Sequence, residues 1–321
     1  MLMEHLRAVR VLCEIDAQGS FSAAARSLGV SQSAVSQHVS SLEERLGQAL
    51  VERGTRPAGL TEAGHAVARH GRAALTRLDS AEQELAEIAG RRAGRLRFGS
   101  FPSALATFVP RALAGFRRAL PGTSLTVVDD HLQRLLPRLD DGELDVALVY
   151  EHPDLPVRSA RPLRSVFLLE DEFRLVLPEG HPLGSRPVTG LAALADEPWI
   201  GGLPGAAWFR IVRESCRKAG FEPDVHFASD DYVAVQAFVA AGLGVALVPG
   251  LAAETPLAGT TVLRVHGPVP SRRVVAVRPE DAFPAPAGQA MVDALVASTR
   301  HYRTAAPPRV TPRAGAAPAP R

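Results

Sequence analysis

The stretch Gly19–Gly64 reads GSFSAAARSLGVSQSAVSQHVSSLEERLGQALVERGTRPAGLTEAG, and its pattern decides the fold of the amino-terminal part. Ser22 is placed to cap a helix over Ala23 to Leu28, because a serine hydroxyl satisfies N–H groups that lack partners at a helix start. Gly29 then ends that helix, because glycine tolerates the left-handed conformation found at helix carboxyl ends. A short helix followed by a tight turn is therefore predicted.

The second helix of this stretch, which Ser31 is placed to cap, has two different faces. An apolar stripe at spacings of four, three and four residues faces a core and consists of Val35, Val39, Leu42 and Leu46. At about 100° per residue, the opposite face is polar and uncharged; it carries Ser33, Ser36, Gln37 and Ser40. Serine and glutamine can hydrogen bond to base edges without a fixed charge. The pattern predicts a helix-turn-helix whose second helix enters the major groove.

Two short strands, Leu50 to Arg53 and Leu60, are predicted after this helix, on either side of the turn-rich segment Gly54–Gly59. A hairpin at this point forms a wing, which places Arg53 and Arg56 to contact DNA phosphates. The residues predicted to contact DNA are Ser22, Ser31, Gln32, Ser33, Ser36, Gln37, His38, Arg53 and Arg56.

The whole segment resembles the DNA-binding domain of LysR-type transcriptional regulators. The matching residues are Phe21 to Ala25, Leu28, Ser31 to Ser36, Leu42 and Glu43, Leu46 and Gly47, Leu50, Arg53, and Leu60 to Gly64. Their order and spacing are more specific than a general helix-turn-helix pattern. Two positions depart from the family: Val51 stands where Phe is usual, and Gln37 follows Ser36 where Arg is common.

Length and composition indicate a globular protein of two or three domains, with 321 residues, 46% apolar and 22% charged. A run of about 18 apolar residues, as a membrane helix requires, is absent from the sequence. The start shows no signal-peptide pattern, so we expect a cytoplasmic location and no membrane partner. Residues 1–60 contain six arginines and six acids. DNA binding is therefore predicted from pattern rather than from overall charge.

Cysteine and histidine residues indicate neither a disulfide nor a metal site. Cys13 and Cys216 are far apart, and small buried apolar residues are a better interpretation than a redox-sensing pair. His5 and His38 are interpreted as surface or hydrogen-bonded groups, because no zinc-ligand spacing is present. We expect no cofactor and no metal.

Two further helices frame the DNA-binding unit. The first covers about Glu4 to Ala17, with Leu2, Leu6, Val9 and Leu12 as its core stripe.

The second helix begins at a Thr61–Glu62 cap and runs to about Ala89. Its two seven-residue series are Val67, Ala74, Ala81 and Ile88, and Gly71, Leu78 and Leu85. They favour a coiled coil with a partner helix; a single amphipathic helix lying on its own domain is the alternative. The family resemblance implies a linker helix that pairs two subunits.

Strands alternate with helices after residue 94, which predicts parallel pairing with right-handed crossovers. The predicted elements are strand 96–99, helix 103–119, strand 124–129, helix 132–139, strand 144–150, strands 167–169 and 173–178, strand 199–200, helix 207–219, strand 225–227, helix 232–241, strand 245–249, strands 261–265 and 273–277, and helix 285–300. Two such lobes joined by crossing segments enclose a cleft.

The predicted fold is α/β with an N-terminal all-α winged helix-turn-helix domain, a linker helix and a two-lobed periplasmic-binding-protein-like effector domain. The DNA-binding domain spans 1–60, the dimerisation linker helix 61–90, the effector domain 91–302 and a disordered tail 303–321. Lobe 1 takes about 95–162 and 267–302, and lobe 2 about 163–266. The tail is rich in Ala, Pro and Arg, so it cannot build a core; a solvated tail is favoured over a DNA contact.

Ligands bind open parallel sheets beyond the carboxyl ends of the strands. This rule selects Ser100, Phe101, Pro102, Ser103, His131, Leu132, Pro204, Gly205, Trp208, Phe227 and Ser229 as effector-contacting residues. Helix amino termini favour an anion, so a carboxylate-bearing effector is expected. The resemblance implies that Ser103 meets the effector; a purely capping role is the alternative. Phe101, Trp208 and Phe227 indicate a more apolar cleft than usual.

The leading hypothesis is a sequence-specific DNA-binding transcription regulator whose activity a small molecule modulates. An enzyme is disfavoured, because no nucleophile elbow, phosphate loop, metal set or paired-carboxylate motif is convincing, and no catalytic residue is assigned. A solute-binding protein is disfavoured by the DNA-reading unit and the missing signal peptide. Double-stranded operator DNA, the effector and a second copy of the chain are the predicted partners. The family resemblance implies a homodimer and, more often, a homotetramer, and RNA polymerase is a candidate further partner.

Overall fold

The computed structural model describes residues 6–52, 59–88, 94–153, 158–184, 188–265, 270–280 and 286–304. Arg53 and Arg56, the tip of the predicted wing, the segment 89–93 and residues 305–321 of the predicted tail lie outside the described residues. Among the described helices, none is both long and apolar enough to cross a membrane.

Three helices form the amino-terminal unit: α1 (Leu6–Gln18), α2 (Phe21–Leu28) and α3 (Gln32–Leu46). The core stripe of α3 is confirmed for Val35, Val39 and Leu42, which are buried. In α1 the buried face also includes Val11 and Ile15, which the expected stripe left out. This wider face packs against both α2 and α4 as well as α3, so a single stripe is too narrow.

The N-cap of α2 lies two residues before the predicted one. Ser20, not Ser22, caps the helix: it has extended backbone angles and its hydroxyl accepts a hydrogen bond from the Ala23 N–H at 3.2 Å. Ser22 already lies inside the first turn, where its backbone is helical. The left-handed Gly29, with φ of 65°, and the Ser31 cap of α3 are both confirmed.

The base of the predicted wing is confirmed as an antiparallel bridge between Val51 and Leu60. The Glu52 N–H donates to the Gly59 carbonyl at 3.0 Å, and the Thr61 N–H donates to the Leu50 carbonyl at 3.0 Å. Among the described residues, pairing between the two predicted wing strands consists of this bridge, and Arg53 at the end of the first strand lies outside the described residues.

Helix α4 (Glu62–Ile88) is the predicted linker helix, and its Thr61 cap is confirmed by a 3.0 Å hydrogen bond from the Gly64 N–H to the Thr61 hydroxyl. Its first half packs on α1 of the same chain. A Cβ added to Gly71 would lie 2.2 Å from Cγ1 of Val9. Gly71 therefore allows close packing on α1, and its assignment to a seam with a partner helix is wrong.

The second half of α4 presents apolar side chains to solvent within one chain. Leu78 is 40% exposed and Leu85 is 65% exposed, and Ala81 is exposed between them. The first half of α4 therefore lies on its own domain, as the alternative of a single amphipathic helix predicts, while the coiled coil stays a prediction for the second half.

The carboxyl-terminal part contains the remaining elements. The strands are β1 (Arg95–Ser100), β2 (Ser124–Asp129), β3 (Val146–Glu151), β4 (Leu163–Pro178), β5 (Val188–Thr189), β6 (Pro198–Gly201), β7 (Asp224–Ala228), β8 (Ala246–Pro249), β9 (Thr260–Val265) and β10 (Ser271–Pro279). The helices are α5 (Pro102–Leu105), α6 (Val109–Ala119), α7 (Leu132–Asp140), α8 (Ala207–Lys218), α9 (Tyr232–Ala240), α10 (Pro286–Ser298) and α11 (Arg300–Thr304), with 3-10 turns at Leu191–Leu194 and Gly250–Ala253.

The main sheet has the order β2-β1-β3-β10-β4-β9-β5, with β8 also paired to β4, while β6 and β7 pair in parallel. Strand β4 is continuous where two strands were predicted. Its first part pairs with β10 and its last part pairs with β8 and β9. Strands β4 and β10 therefore form the crossing between the two predicted lobes.

The predicted helix 103–119 is split into α5 and α6. Pro110 explains the break, because proline has no N–H and clashes with the preceding turn, so it is tolerated only at a helix start. Helix α5 begins at Pro102 with Phe101 before it, and no side chain caps it.

Candidate functional site

The predicted reading face of α3 is exposed. Ser31, Gln32, Ser33, Ser36 and Gln37 are all open to solvent, while His38 and Ser40 are half-buried. The exposed set lies opposite the buried valines and Leu42, as the helical period requires. This face offers hydroxyl and amide groups at one end of the amino-terminal unit.

Hydrogen bonds between neighbours hold part of this face in place. The exposed Ser22 hydroxyl donates to Oε1 of Gln32 at 3.2 Å, which ties α2 to α3. The Ser31 and Ser33 hydroxyls lie 2.9 Å apart. Ser36 and Gln37 make no side-chain hydrogen bond to the part of the chain that the structure describes. Gln37 is therefore the most available side chain of the face for an adenine edge, a pairing that glutamine geometry favours.

Glu43 is a positioning residue for the wing that the sequence analysis did not assign. Its Oε1 accepts hydrogen bonds from the Leu50 N–H at 2.7 Å and the Val51 N–H at 3.2 Å. This contact fixes the base of the wing to the carboxyl end of α3. The available sequence signal is a glutamate near the end of α3, seven residues before Leu50.

Helix α4 contacts both α1 and the effector-binding part. Arg72 of α4 pairs with Asp16 of α1 at 2.5 Å. One turn further along α4, Thr76 meets the turn after α7: a Cβ on Gly142 would lie 3.0 Å from Cγ2 of Thr76. Burial raises the pKa of Asp141 in the same turn, and Arg72 opposes that shift. One helix therefore joins the DNA-binding unit to lobe 1.

The residues of the first lobe that were predicted to contact the effector at the end of β1 are largely buried. Ser100, Phe101 and Ser103 are buried at the carboxyl end of β1, and Pro102 begins α5. Ser103 does not cap a helix, so the purely capping alternative is wrong. Its hydroxyl accepts a hydrogen bond from Nη2 of Arg272 at 2.7 Å.

Arg272 was not assigned by the sequence analysis, yet it is the centre of this cluster. Nε of Arg272 donates to Oδ2 of Asp171 at 2.9 Å, and its Nη2 lies 2.8 Å from the same oxygen. Its guanidinium carbon is 4.8 Å from the Phe101 ring centroid and 4.6 Å from that of Tyr150, within cation–π distance. Both strands carry several charged residues, so the sequence alone did not single out this pair.

The second lobe contributes Trp208 and Tyr232. The buried Trp208 donates its ring N–H to the Leu247 carbonyl at 2.8 Å and meets the Tyr232 ring edge to face at 5.0 Å. Burial raises the pKa of Tyr232, and Arg272 opposes the shift. Burial likewise raises the pKa of Tyr150, again against Arg272. Both phenols therefore stay protonated and uncharged at neutral pH.

The other predicted effector residues are spread around this cluster. Pro204 and Gly205 are exposed, and the Gly205 carbonyl accepts a 3.4 Å hydrogen bond from Gln133 of α7. His131 precedes α7 and Leu132 is buried. Phe227 is 38% exposed on β7, and its ring packs on Phe238. The Ser229 hydroxyl accepts a hydrogen bond from the Asp231 N–H.

At two of the four helix starts chosen as anion sites, a carboxylate of the chain itself accepts a hydrogen bond from a backbone N–H. Helix α5 begins with Pro102, which has no N–H to offer. The Asp130 carboxylate accepts from the His131 N–H at 2.8 Å at the start of α7. The Asp231 carboxylate accepts from the Val233 N–H at 2.8 Å at the start of α9. Of these four helices only α9 has a side-chain cap, from Asp231; α5, α7 and α8 have none.

Neither cysteine is placed for redox chemistry. Both Cys13 and Cys216 are buried, and they lie in separate cores. Burial raises the pKa of Cys216 to about 12. Within the described ranges no group of three or more His, Cys, Asp or Glu side chains could hold a metal ion.

An exposed reading helix, joined by a linker helix to a two-lobed α/β domain, defines a ligand-responsive class of transcription regulator. The bacterial regulatory helix-turn-helix of the lysR family matches residues 6–65, and the LysR substrate binding domain matches residues 89–300. The chain belongs to the LysR family of transcription regulators, and it is not an enzyme.

Relatives and solved structures agree with this assignment. The chain is 33% identical over 270 residues to a probable hydrogen peroxide-inducible genes activator of Mycobacterium leprae, covering 83% of this chain and 85% of the relative. It is 35% identical over 281 residues to the small neutral protease regulatory protein of Streptomyces coelicolor, covering 85% and 81%. The fold matches the LysR regulator CbnR with a TM-score of 0.67 at 20% identity, covering 92% and 99% of the two chains.

Proposed function

We propose that this regulator binds operator DNA as a homo-oligomer through α3 and the wing, and that a small molecule held between the two lobes modulates binding. The observation that carries the proposal is the exposed, uncharged face of α3, on which Ser36 and Gln37 have no partner in the described part of the chain. Hydrogen-bonding groups without an internal partner at a helix surface suit base edges in the major groove. The proposed domain division keeps the bounds 1–60, 61–90 and 91–302.

Dimerisation is proposed to use the second half of α4. Leu78 and Leu85 are exposed one heptad apart, with Ala81 between them. A matching helix from a second copy would cover this apolar stripe, as in a coiled coil. Two copies would then place two reading helices on two half-sites. A dimer of such dimers remains the further expectation.

The coupling between the two sites is proposed to run through α7 and α4. Helix α7 begins at Leu132, one of the predicted effector residues, and ends before the Asp141–Gly142 turn, which lies against Thr76 of α4. Helix α4 is tied to α1 by the Arg72–Asp16 pair. A change in lobe geometry would therefore move α4 relative to α1, and both sites would bias one global change.

The effector is proposed to be a bound small molecule rather than an oxidant. The Mycobacterium leprae relative is named for induction by hydrogen peroxide. In this chain, Cys216 is fully buried with a raised pKa, whereas a peroxide-sensing cysteine needs an exposed thiolate. The second cysteine, Cys13, belongs to the core of the DNA-binding unit.

The test is a gel-shift titration of the full chain on DNA from upstream of its own gene. A panel of small aromatic compounds, uncharged and anionic, is added at fixed protein concentration. We expect specific binding that one compound class shifts by about tenfold, a coupling of roughly 1.4 kcal/mol. Specific binding that no compound of any class alters would refute the effector part, and equal affinity for scrambled DNA would refute the operator part.

A further inference from the structure

Arg272, the cation of the inter-lobe site, is already paired with Asp171, a carboxylate of the same chain. Arg272 is 2% exposed and Asp171 3% exposed. Asp171 lies in the first part of β4 and Arg272 in β10, so the pair sits where the crossing strands meet. Oδ2 of Asp171 accepts from Arg272, and Oδ1 accepts from the Leu251 N–H at 3.0 Å. Both carboxylate oxygens are therefore used.

The edge of the Arg272 guanidinium formed by Nε and Nη2 is not free for a second carboxylate. Its Nε and Nη2 face Asp171, and Nη2 also donates to Ser103 at 2.7 Å. The rings of Phe101 and Tyr150, themselves edge to face with centroids 5.3 Å apart, lie against it. A bidentate bond between arginine and an incoming carboxylate requires two parallel N–H donors, and here Asp171 holds them.

The charges around the pair do not favour a second anion. Asp171 neutralises Arg272, and the carboxylate of Asp230, within electrostatic range of Tyr150 and Tyr232, adds a negative charge. Arg174, the other cation near Asp171, pairs with Glu172 at 3.1 Å. Burial raises the pKa of Asp171, with Arg272 opposing it. Burial opposes the charge of Arg272 most strongly, but Asp171, Tyr232 and Tyr150 together outweigh it and the pKa of Arg272 is raised, which favours an ionised pair.

The remaining surfaces of the cluster are aromatic or uncharged. Phe101 and Tyr150 from lobe 1 and Trp208 and Tyr232 from lobe 2 contribute rings. The phenol hydroxyls of Tyr150 and Tyr232 can both donate and accept hydrogen bonds. Such a surface suits a flat, uncharged ligand with a hydrogen-bonding group.

We propose that Asp171 is the specificity-determining residue of the inter-lobe site: it serves as a built-in carboxylate on Arg272, so the site takes an uncharged aromatic effector and rejects carboxylates. This inference rests on the proposed function and replaces the sequence-based expectation of a carboxylate effector. Its physical basis is that a ligand carboxylate would have to displace Asp171, which would leave one of the two carboxylates buried without a counter-charge.

Asp171→Asn isolates the charge of this residue. The amide oxygen can still accept a hydrogen bond from Arg272 or Leu251 while the negative charge is lost. Arg272 is then a buried cation without a counter-ion, and an added carboxylate can supply one. The double variant Asp171→Asn/Arg272→Gln removes both charges and should lose that gain. Asp196→Asn is the matched control, because Asp196 is exposed and the substitution changes the net charge by the same amount.

The experiment measures binding of benzoate and benzamide, which differ mainly in charge, to the full chain by calorimetry and by tryptophan fluorescence. Wild type and Asp196→Asn should bind benzamide at least tenfold more tightly than benzoate. Asp171→Asn should gain at least tenfold in benzoate affinity, and the double variant should not. Circular dichroism checks that each variant is folded.

Three outcomes would overturn the inference. The first is that the wild-type protein binds benzoate as tightly as benzamide. This result would refute the inference even if Asp171→Asn does not fold. The second is wild type that binds no benzamide, and the third is folded Asp171→Asn with no gain for benzoate. A failure of the proposed function looks different: the predicted ligand selectivity is found, but neither compound changes operator binding.

Discussion

Replacing Gly71 by alanine tests the packing of the linker helix α4 on α1. The added Cβ would lie 2.2 Å from Cγ1 of Val9 and 3.4 Å from Sγ of Cys13. Val9 is 3% exposed, so its side chain cannot move into solvent. The two helices must therefore separate, or Val9 must leave its preferred rotamer.

The expected loss combines two opposing effects. Alanine in a helix interior is favoured over glycine by about 0.5–1 kcal/mol. Overpacking a well-packed core costs about 1–3 kcal/mol. We expect Gly71→Ala to lower the free energy of unfolding of the amino-terminal unit by about 1–2 kcal/mol. Gly115→Ala in α6 is the matched control, because its Cβ would meet no atom closer than 3.8 Å. It should stabilise by about 0.5–1 kcal/mol.

Urea unfolding separates the two effects when two signals are recorded. Both tryptophans, Trp199 and Trp208, lie in the effector part, so fluorescence follows that part while circular dichroism follows the whole chain. Gly71→Ala should shift the circular dichroism transition and leave the fluorescence transition unchanged. A variant as stable as Gly115→Ala would refute the packing on α1. A loss that disappears at high protein concentration would place Gly71 in a dimer seam instead.

Three further predictions concern caps, thiols and the dimer. Ser20→Ala should cost about 0.5–2 kcal/mol of stability and Ser22→Ala far less, because only Ser20 caps α2; equal losses in urea unfolding would contradict this. Cys216 should not react with a thiol reagent at pH 8 until urea unfolds the chain, because burial raises its pKa to about 12 and keeps it protonated; rapid reaction in native protein would be the opposite result. Leu78→Asp with Leu85→Asp should produce monomers in sedimentation, and an unchanged oligomer would exclude this half of α4 as the interface.

The DNA-binding unit was the most predictable part of the molecule, because its signals are local. The Gly29 turn, the Ser31 cap and the buried stripe of α3 follow from neighbours within a few residues, and each is confirmed. The Ser20 cap was missed because two serines precede the helix and only backbone geometry distinguishes them. The packing of Gly71 on Val9 joins residues far apart in sequence, so a heptad pattern alone could not show it.

The effector site was less predictable, because its centre depends on long-range pairing. Asp171 and Arg272 are a hundred residues apart and meet only because β4 and β10 are antiparallel neighbours in register. The rule for strand ends correctly brought Ser103 to this cluster. It could not show that Asp231 caps α9 or that Asp130 accepts from the His131 N–H just before α7, and these contacts weaken the carboxylate expectation that the same rule produced.

The most direct test of the central claim measures the affinity of the full chain for its own upstream DNA and for a scrambled duplex, at fixed salt. Wild type should prefer the upstream DNA by at least about a thousandfold. Gln37→Ala should lose about 1–3 kcal/mol of that preference, with nonspecific affinity unchanged. Gln18→Ala, an exposed glutamine at the end of α1, should behave like wild type. Equal affinity of wild type for both duplexes would contradict the claim that this chain reads DNA sequence through α3.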